Sequence, residues 1–180
     1  MYFHAHAGIG WILAEAGRGD SKFRRAVFLT AIAPDLDAIS YVLGLSVSLS
    51  HHHVWAHNLV FSLIVSALSM LYCAKRRLRA FLFTQTAFYT HYLGDYFFTT
   101  WPQSYLFPFS HRAFFTPHAF HLWHPVNDWL GLGLLLVVFV LCLVLRRTPL
   151  EVLSPEADAR LVAFVANLFR SRGGNSRRKA

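Results

Sequence analysis

An imidazole and a carboxylate one helical turn apart interrupt the apolar run from Ala80 to Thr100, in the stretch Thr90-His91-Tyr92-Leu93-Gly94-Asp95-Tyr96. The run is about 20 residues long, enough to cross a bilayer as one helix. A carboxylate near the centre of such a helix costs at least ~2.5 kcal/mol to bury. At i, i+4 the two groups share a helix face. A bound cation would offset the cost, and an Asp–His hydrogen bond joining two helices is the alternative. Any fold for this chain must shield that pair.

Composition says what does the shielding. At 180 residues, 55% hydrophobic, 16% aromatic and only 14% charged, the chain suits a single polytopic membrane domain. The +8 net charge does not point to nucleic acid, because most Lys and Arg sit in short clusters beside apolar runs. Cys73 and Cys142 lie inside apolar runs with neither metal-site nor disulfide spacing, and read as buried thiols. Met1 is followed by Tyr-Phe-His-Ala-His, without the basic start of a signal peptide.

Residues 3–16 form a short candidate helix that stops at Gly17-Arg18-Gly19-Asp20. The run from Ala26 to about Leu49 contains Pro34-Asp35-Leu36-Asp37, so it must be covered by protein or line a wet cavity. Leu59 to Ala74 carries Ser62, Ser66 and Ser69 at spacings that suit close helix packing. Trp101 to Pro125 is an aromatic, proline-marked loop, and Val126 to Leu145 is the cleanest membrane helix. Beyond it lie an amphipathic piece, roughly Ala157 to Phe169, and a basic Gly/Ser tail expected to be disordered.

Basic clusters at 18–25, 75–79 and 146–147 fall at alternate junctions, whereas 50–56 and 101–125 contain only Arg112. By the positive-inside rule the basic ends, and the C-terminus, are cytoplasmic. Counted from these anchors, Asp37, His91 and, if residues 3–16 insert, His6 each lie twelve positions in, ~18 Å along a helix. Asp95 lies ~24 Å in, and His57 and Asp128 ~27 Å in. Polar groups from every expected helix thus share one band in the outer half of the bundle.

Imidazoles with carboxylates suit zinc first, with manganese or iron as further options. His91 and Asp95 are the core of the candidate ligand set, joined by His57, His6 and the Asp35/Asp37 pair. Asp35 and Asp37 point ~200° apart on a regular helix. One would then ligate while the other supports, unless Pro34 breaks the helix. His4 and His6 pose the same choice, and His6 fits the depth count better. His51 to His53 read as a wet loop, and His111, His118, His121 and His124 as surface residues.

In order and spacing, His6, Pro34-Asp35-Leu36-Asp37, His53-Val54-Trp55-Ala56-His57-Asn58-Leu59, His91-Tyr92-Leu93-Gly94-Asp95 and Ser104-Tyr105-Leu106-Phe107-Pro108-Phe109-Ser110 resemble the YdjM family, over about residues 4–115. These are bacterial and archaeal membrane-bound proteins described as metal-dependent hydrolases. The family usually carries arginine where this chain has His53, and Thr and Ser where it has Ala56 and Asn58. A more distant similarity, to zinc-dependent phospholipase C and fungal zinc nucleases, implies phosphoester chemistry.

The expected protein is therefore all-α: a polytopic membrane helix bundle of about four to five membrane helices, with a metal site in the outer half. Residues 1–147 would form the membrane-embedded hydrolase-like domain, and residues 148–180 a cytoplasmic amphipathic segment and basic tail. The resemblance implies a multi-pass protein of a bacterial or archaeal cytoplasmic membrane. The implied activity is metal-dependent hydrolysis of a phosphoester or ester of a lipid-like substrate, with Asp35 or Asp37 taking a proton from water. The metal would be held by residues among His6, Asp35, Asp37, His57, His91 and Asp95. A divalent-metal or proton-coupled carrier or sensor, and a non-catalytic structural membrane protein, are the alternatives.

Overall fold

The computed structural model describes residues 1–38 and 53–176. The apolar run beyond Ala38, with His51 and His52, lies outside them. Among the described residues there are six α-helices, and the one β-contact is an isolated bridge between Gln103 and Phe114. The all-α expectation holds.

Helix α1 runs Phe3–Ala16 and stops at Gly17. The Asp20 carboxylate accepts from Phe23 N and starts α2, Ser21–Ile32. Pro34 carries no N–H and disfavours helical geometry at Ala33, so the chain tightens into a 3-10 turn over Ala33–Ala38. Asn58 accepts from Phe61 N to begin α3, Leu59–Tyr72. A short 3-10 turn leads into α4, Arg77–Phe98, which carries the central His91/Asp95 pair. Helices α5, Pro125–Leu145, and α6, Pro155–Ser176, follow. Helix α6 continues through Gly173 and Gly174, where a disordered tail was expected.

Helix α4 is the hub, packing against α1, α2 and α3. Its apolar contact with α2 centres on Phe23, Val27, Ala31, Ala80 and Ala87. Ser62, Ser66 and Ser69 form the buried stripe of α3. There Gln85 of α4 donates to Ser62 O at 3.0 Å and to Ser66 Oγ at 2.9 Å. Helices α1 and α2 approach so closely that a Cβ on Gly10 would stand 2.5 Å from Ala31 Cβ.

The count of membrane helices is smaller than the sequence reading. Helices α1, α2 and α3 have 14, 12 and 14 residues. At most ~21 Å long, they fall short of a ~30 Å hydrocarbon core. Among the described residues α5 alone is long and apolar enough to cross, with only 6% of that stretch buried. Helices α3 and α4 pass the same test only together, bent by 105° at the break between them. Pro34, the Gly17–Asp20 turn and the Cys73–Arg76 break cut the apolar runs into short pieces.

Two compact units divide the chain, Met1–Val138 and Phe139–Ala180. In the second, Thr148 starts a 3-10 turn over Pro149–Val152, and its N–H and hydroxyl both donate to Asp158 Oδ1.

Candidate metal centre

The Asp95 carboxylate, 2% exposed, is the centre of a cluster of four imidazoles. His91 and Asp95 share a face of α4, as their spacing requires. His91 Nδ1–H donates to Ala31 O at 2.7 Å, which turns Nε2 to within 3.1 Å of Asp95 Oδ2. Helix α1 brings His6, whose Nε2 lies 3.1 Å from Asp95 Oδ1 and whose ring stacks on His91 at 3.6 Å. The turn before α3 brings His57, with Nε2 3.4 Å from Asp95 Oδ2. His53 Nε2 stands 3.6 Å from the same oxygen.

The 3-10 turn settles which way the two aspartates point. With roughly three residues per turn, positions two apart face different sides. Asp35 Oδ1 lies 3.6 Å from His91 Nε2. Asp37 instead sits behind His57, where it accepts from His57 Nδ1–H at 3.0 Å and from Ala56 N at 2.7 Å. Asp37 thereby engages Nδ1 and turns His57 Nε2 towards Asp95, the arrangement in which a bound cation would be held through Nε2.

Three overlapping triads have ligand atoms within 4.8 Å of one another: His6/His91/Asp95, Asp35/His57/His91 and His53/His57/Asp95. Donors on a tetrahedral ion with ~2.0 Å bonds lie ~3.3 Å apart, close to the separations here. His91 Nε2, Asp35 Oδ2 and Asp95 Oδ2 are buried and make no hydrogen bond. Buried polar atoms left so cost free energy unless a partner is bound. The residues fit a divalent cation. A positive group already lies beside Oδ1, since the Met1 ammonium donates to it at 2.5 Å.

Other sequence candidates stay outside. His4 is exposed, its Nε2 against Gly131 of α5. Asp128 is exposed beside Tyr2, and His111, His118, His121 and His124 are exposed. The loop after α4 closes over the cluster: Ser104 N donates to His53 O, and Leu59 N to Tyr105 O. Tyr105 OH donates to Tyr92 O at 3.3 Å. Burial, then the Asp95 carboxylate, hold the Tyr105 phenol above its usual range, so it stays a donor.

His53 is the residue that sequence reasoning missed. Its place in a run of three histidines suggested a wet loop, yet it is 1% exposed. The available signal was its spacing to His57, i to i+4, the same as that of His91 to Asp95.

The pattern of His6, the two aspartates, His57, His91 and Asp95 now stands in one place, and it agrees with a family match over most of the chain. A model of the YdjM inner membrane protein family matches residues 1–152. The chain belongs to that family. The match extends past the 4–115 of the motif resemblance and takes in α5, which among the described helices is the one long and apolar enough to cross a membrane by itself. Membrane localisation follows from membership of this inner membrane family. No curated protein and no solved structure matches the chain.

Proposed function

We propose that this YdjM-family chain is a membrane-bound metal-dependent hydrolase acting on a phosphoester or ester of a lipid-like substrate. The observation that carries the reading is the position of Asp35. Every imidazole of the cluster and Asp95 are sealed, whereas the Asp35 side chain is 20% exposed. It opens on an apolar groove of about 720 Å³ between α2 and α3, lined by Leu29, Leu36, Phe61 and Val65 and reaching Arg25. An apolar chain lying in that groove would bring its ester or phosphoester to Asp35.

His6, His57, His91 and Asp95 would hold the cation, zinc being the best fit to the donors. When bound, it supplies a water of lowered pKa and polarises the ester or phosphoryl oxygen. The Asp35 carboxylate would take the proton from the attacking water. Asp37 keeps His57 in its tautomer, and Ala31 O does the same for His91. Tyr92 and the aromatic loop limit access by bulk water. We read the first unit as embedded by several short and bent helices, with the cluster in the outer half of the membrane.

The test is metal content beside turnover of a chromogenic phosphodiester and of lipid extracts. Asp35→Asn should keep its metal while losing at least ~100-fold in turnover, the usual scale for removing a general base. His91→Ala should lose metal and turnover together. A wild type that turns nothing over, yet moves zinc into liposomes in a His91-dependent manner, would replace the hydrolase with a carrier.

A further inference from the structure

The cluster holds more donors than one ion can use. Four imidazole nitrogens, both Asp95 oxygens and Asp35 converge, whereas a zinc ion takes four ligands. The two Asp95 oxygens also face different partners. Oδ1 is turned to His6 and the Met1 ammonium, and Oδ2 to His53 and His57, with His91 Nε2 between the two groups and 3.1 Å from Oδ2. The triads His6/His91/Asp95 and His53/His57/Asp95 have only Asp95 in common, and Asp35/His57/His91 takes one histidine from each.

We propose that His53 builds a second divalent-cation position with His57 and Asp95 Oδ2, next to a first formed by His6, His91 and Asp95, with Asp95 bridging the two. A carboxylate bridge suits ions ~3.5–4 Å apart, the spacing used to clamp a phosphoryl group. Asp35, near histidines of both positions, then faces the gap between them.

The backbone at His53 supports the assignment independently. Its φ is 69°, in the left-handed region that costs a residue with a Cβ about 1 kcal/mol or more. Contacts that hold it there include Ser104 N, which donates to His53 O at 3.0 Å, Trp101, which meets the ring edge-on at 5.5 Å, and His57, which packs at 4.2 Å. A strained, 1% exposed histidine aimed at a carboxylate is what a ligand position requires, and a wet loop does not.

The inference rests on the metal reading of the site but not on hydrolysis, so its readouts are stoichiometry and spectroscopy. Full-length protein in detergent is stripped, then titrated with zinc for stoichiometry and with manganese for electron paramagnetic resonance. Wild type should take about two equivalents and give an exchange-coupled manganese signal, as a bridged pair requires. His53→Ala and the bulkier His53→Gln should each take about one equivalent, with an uncoupled signal. Both variants are compared with wild type by circular dichroism, and whichever keeps the wild-type helical content is read. One equivalent in wild type, or two equivalents with a coupled signal in a folded His53 variant, would overturn the proposal. Two coupled ions in a wild type without turnover would remove the hydrolase reading and leave this inference standing.

Discussion

Asp37 sits behind His57 and decides where its ring points. By holding Nδ1–H at 3.0 Å it turns Nε2 towards Asp95, where a cation would bind. Asp37→Asn can keep the bond to Ala56 N but loses the charge that makes the imidazole a better donor. Zinc affinity measured by calorimetry should fall about 10–100-fold, the usual effect of removing such an orienting carboxylate. An unchanged affinity would mean that the turn alone orients His57. Sequence could place His91, Asp95, His57 and His6 because helical spacing and depth are local quantities. It left Asp35 and Asp37 undivided, since their directions depend on how tightly the chain coils after Pro34. It passed over His53 because what buries that residue is Ser104 and Trp101, about fifty positions away.

Helices were legible as elements, and their lengths as spans were not. Residues 3–16, 59–72 and 125–145 came out of hydropathy and breakers almost as the structure has them. What pattern could not reveal is that the pieces before α4 are too short to cross alone and are placed by packing on α4. Helices α1 and α2 come close where Gly10 meets Ala31, the residue whose carbonyl holds His91. Gly10→Ala should therefore push α1 from α2 and disturb the cluster as well. Overpacking of this kind costs ~1–3 kcal/mol, seen as a lower thermal-shift midpoint together with weaker zinc binding. Gly133→Ala is the control, since a Cβ there meets nothing within 4 Å. In a helix that change should be neutral or slightly stabilising, by about 0.4–1 kcal/mol at most. Equal effects at the two glycines would mean that the α1–α2 contact does not position the site.

At the scale of the molecule, polarity runs along α4. Its 22 residues rise ~33 Å, about the thickness of a hydrocarbon core. Arg77 and Arg79 stand at its start, and His91 and Asp95 near its end. The basic segments meet at the first end, where Arg76 donates to Arg18 O at 3.1 Å and Lys22 lies over Tyr72. At the other end the loop after α4 is tied to the cluster through Ser104 and Tyr105. Long cationic side chains at the start of α4 favour the cytoplasmic face, where positive residues are retained. A reporter fused after Lys75 should accordingly read cytoplasmic, and one near Gln103 should read outside. In the proposed topology α5 returns the chain, and its basic end predicts a cytoplasmic reading after Arg147. Cysteine placed at exposed Trp123 should react with a membrane-impermeant thiol reagent in intact cells. A cytoplasmic reading near Gln103, with no labelling at position 123, would put the cluster on the inner face. Lipid would then have to reach Asp35 from the cytoplasmic leaflet.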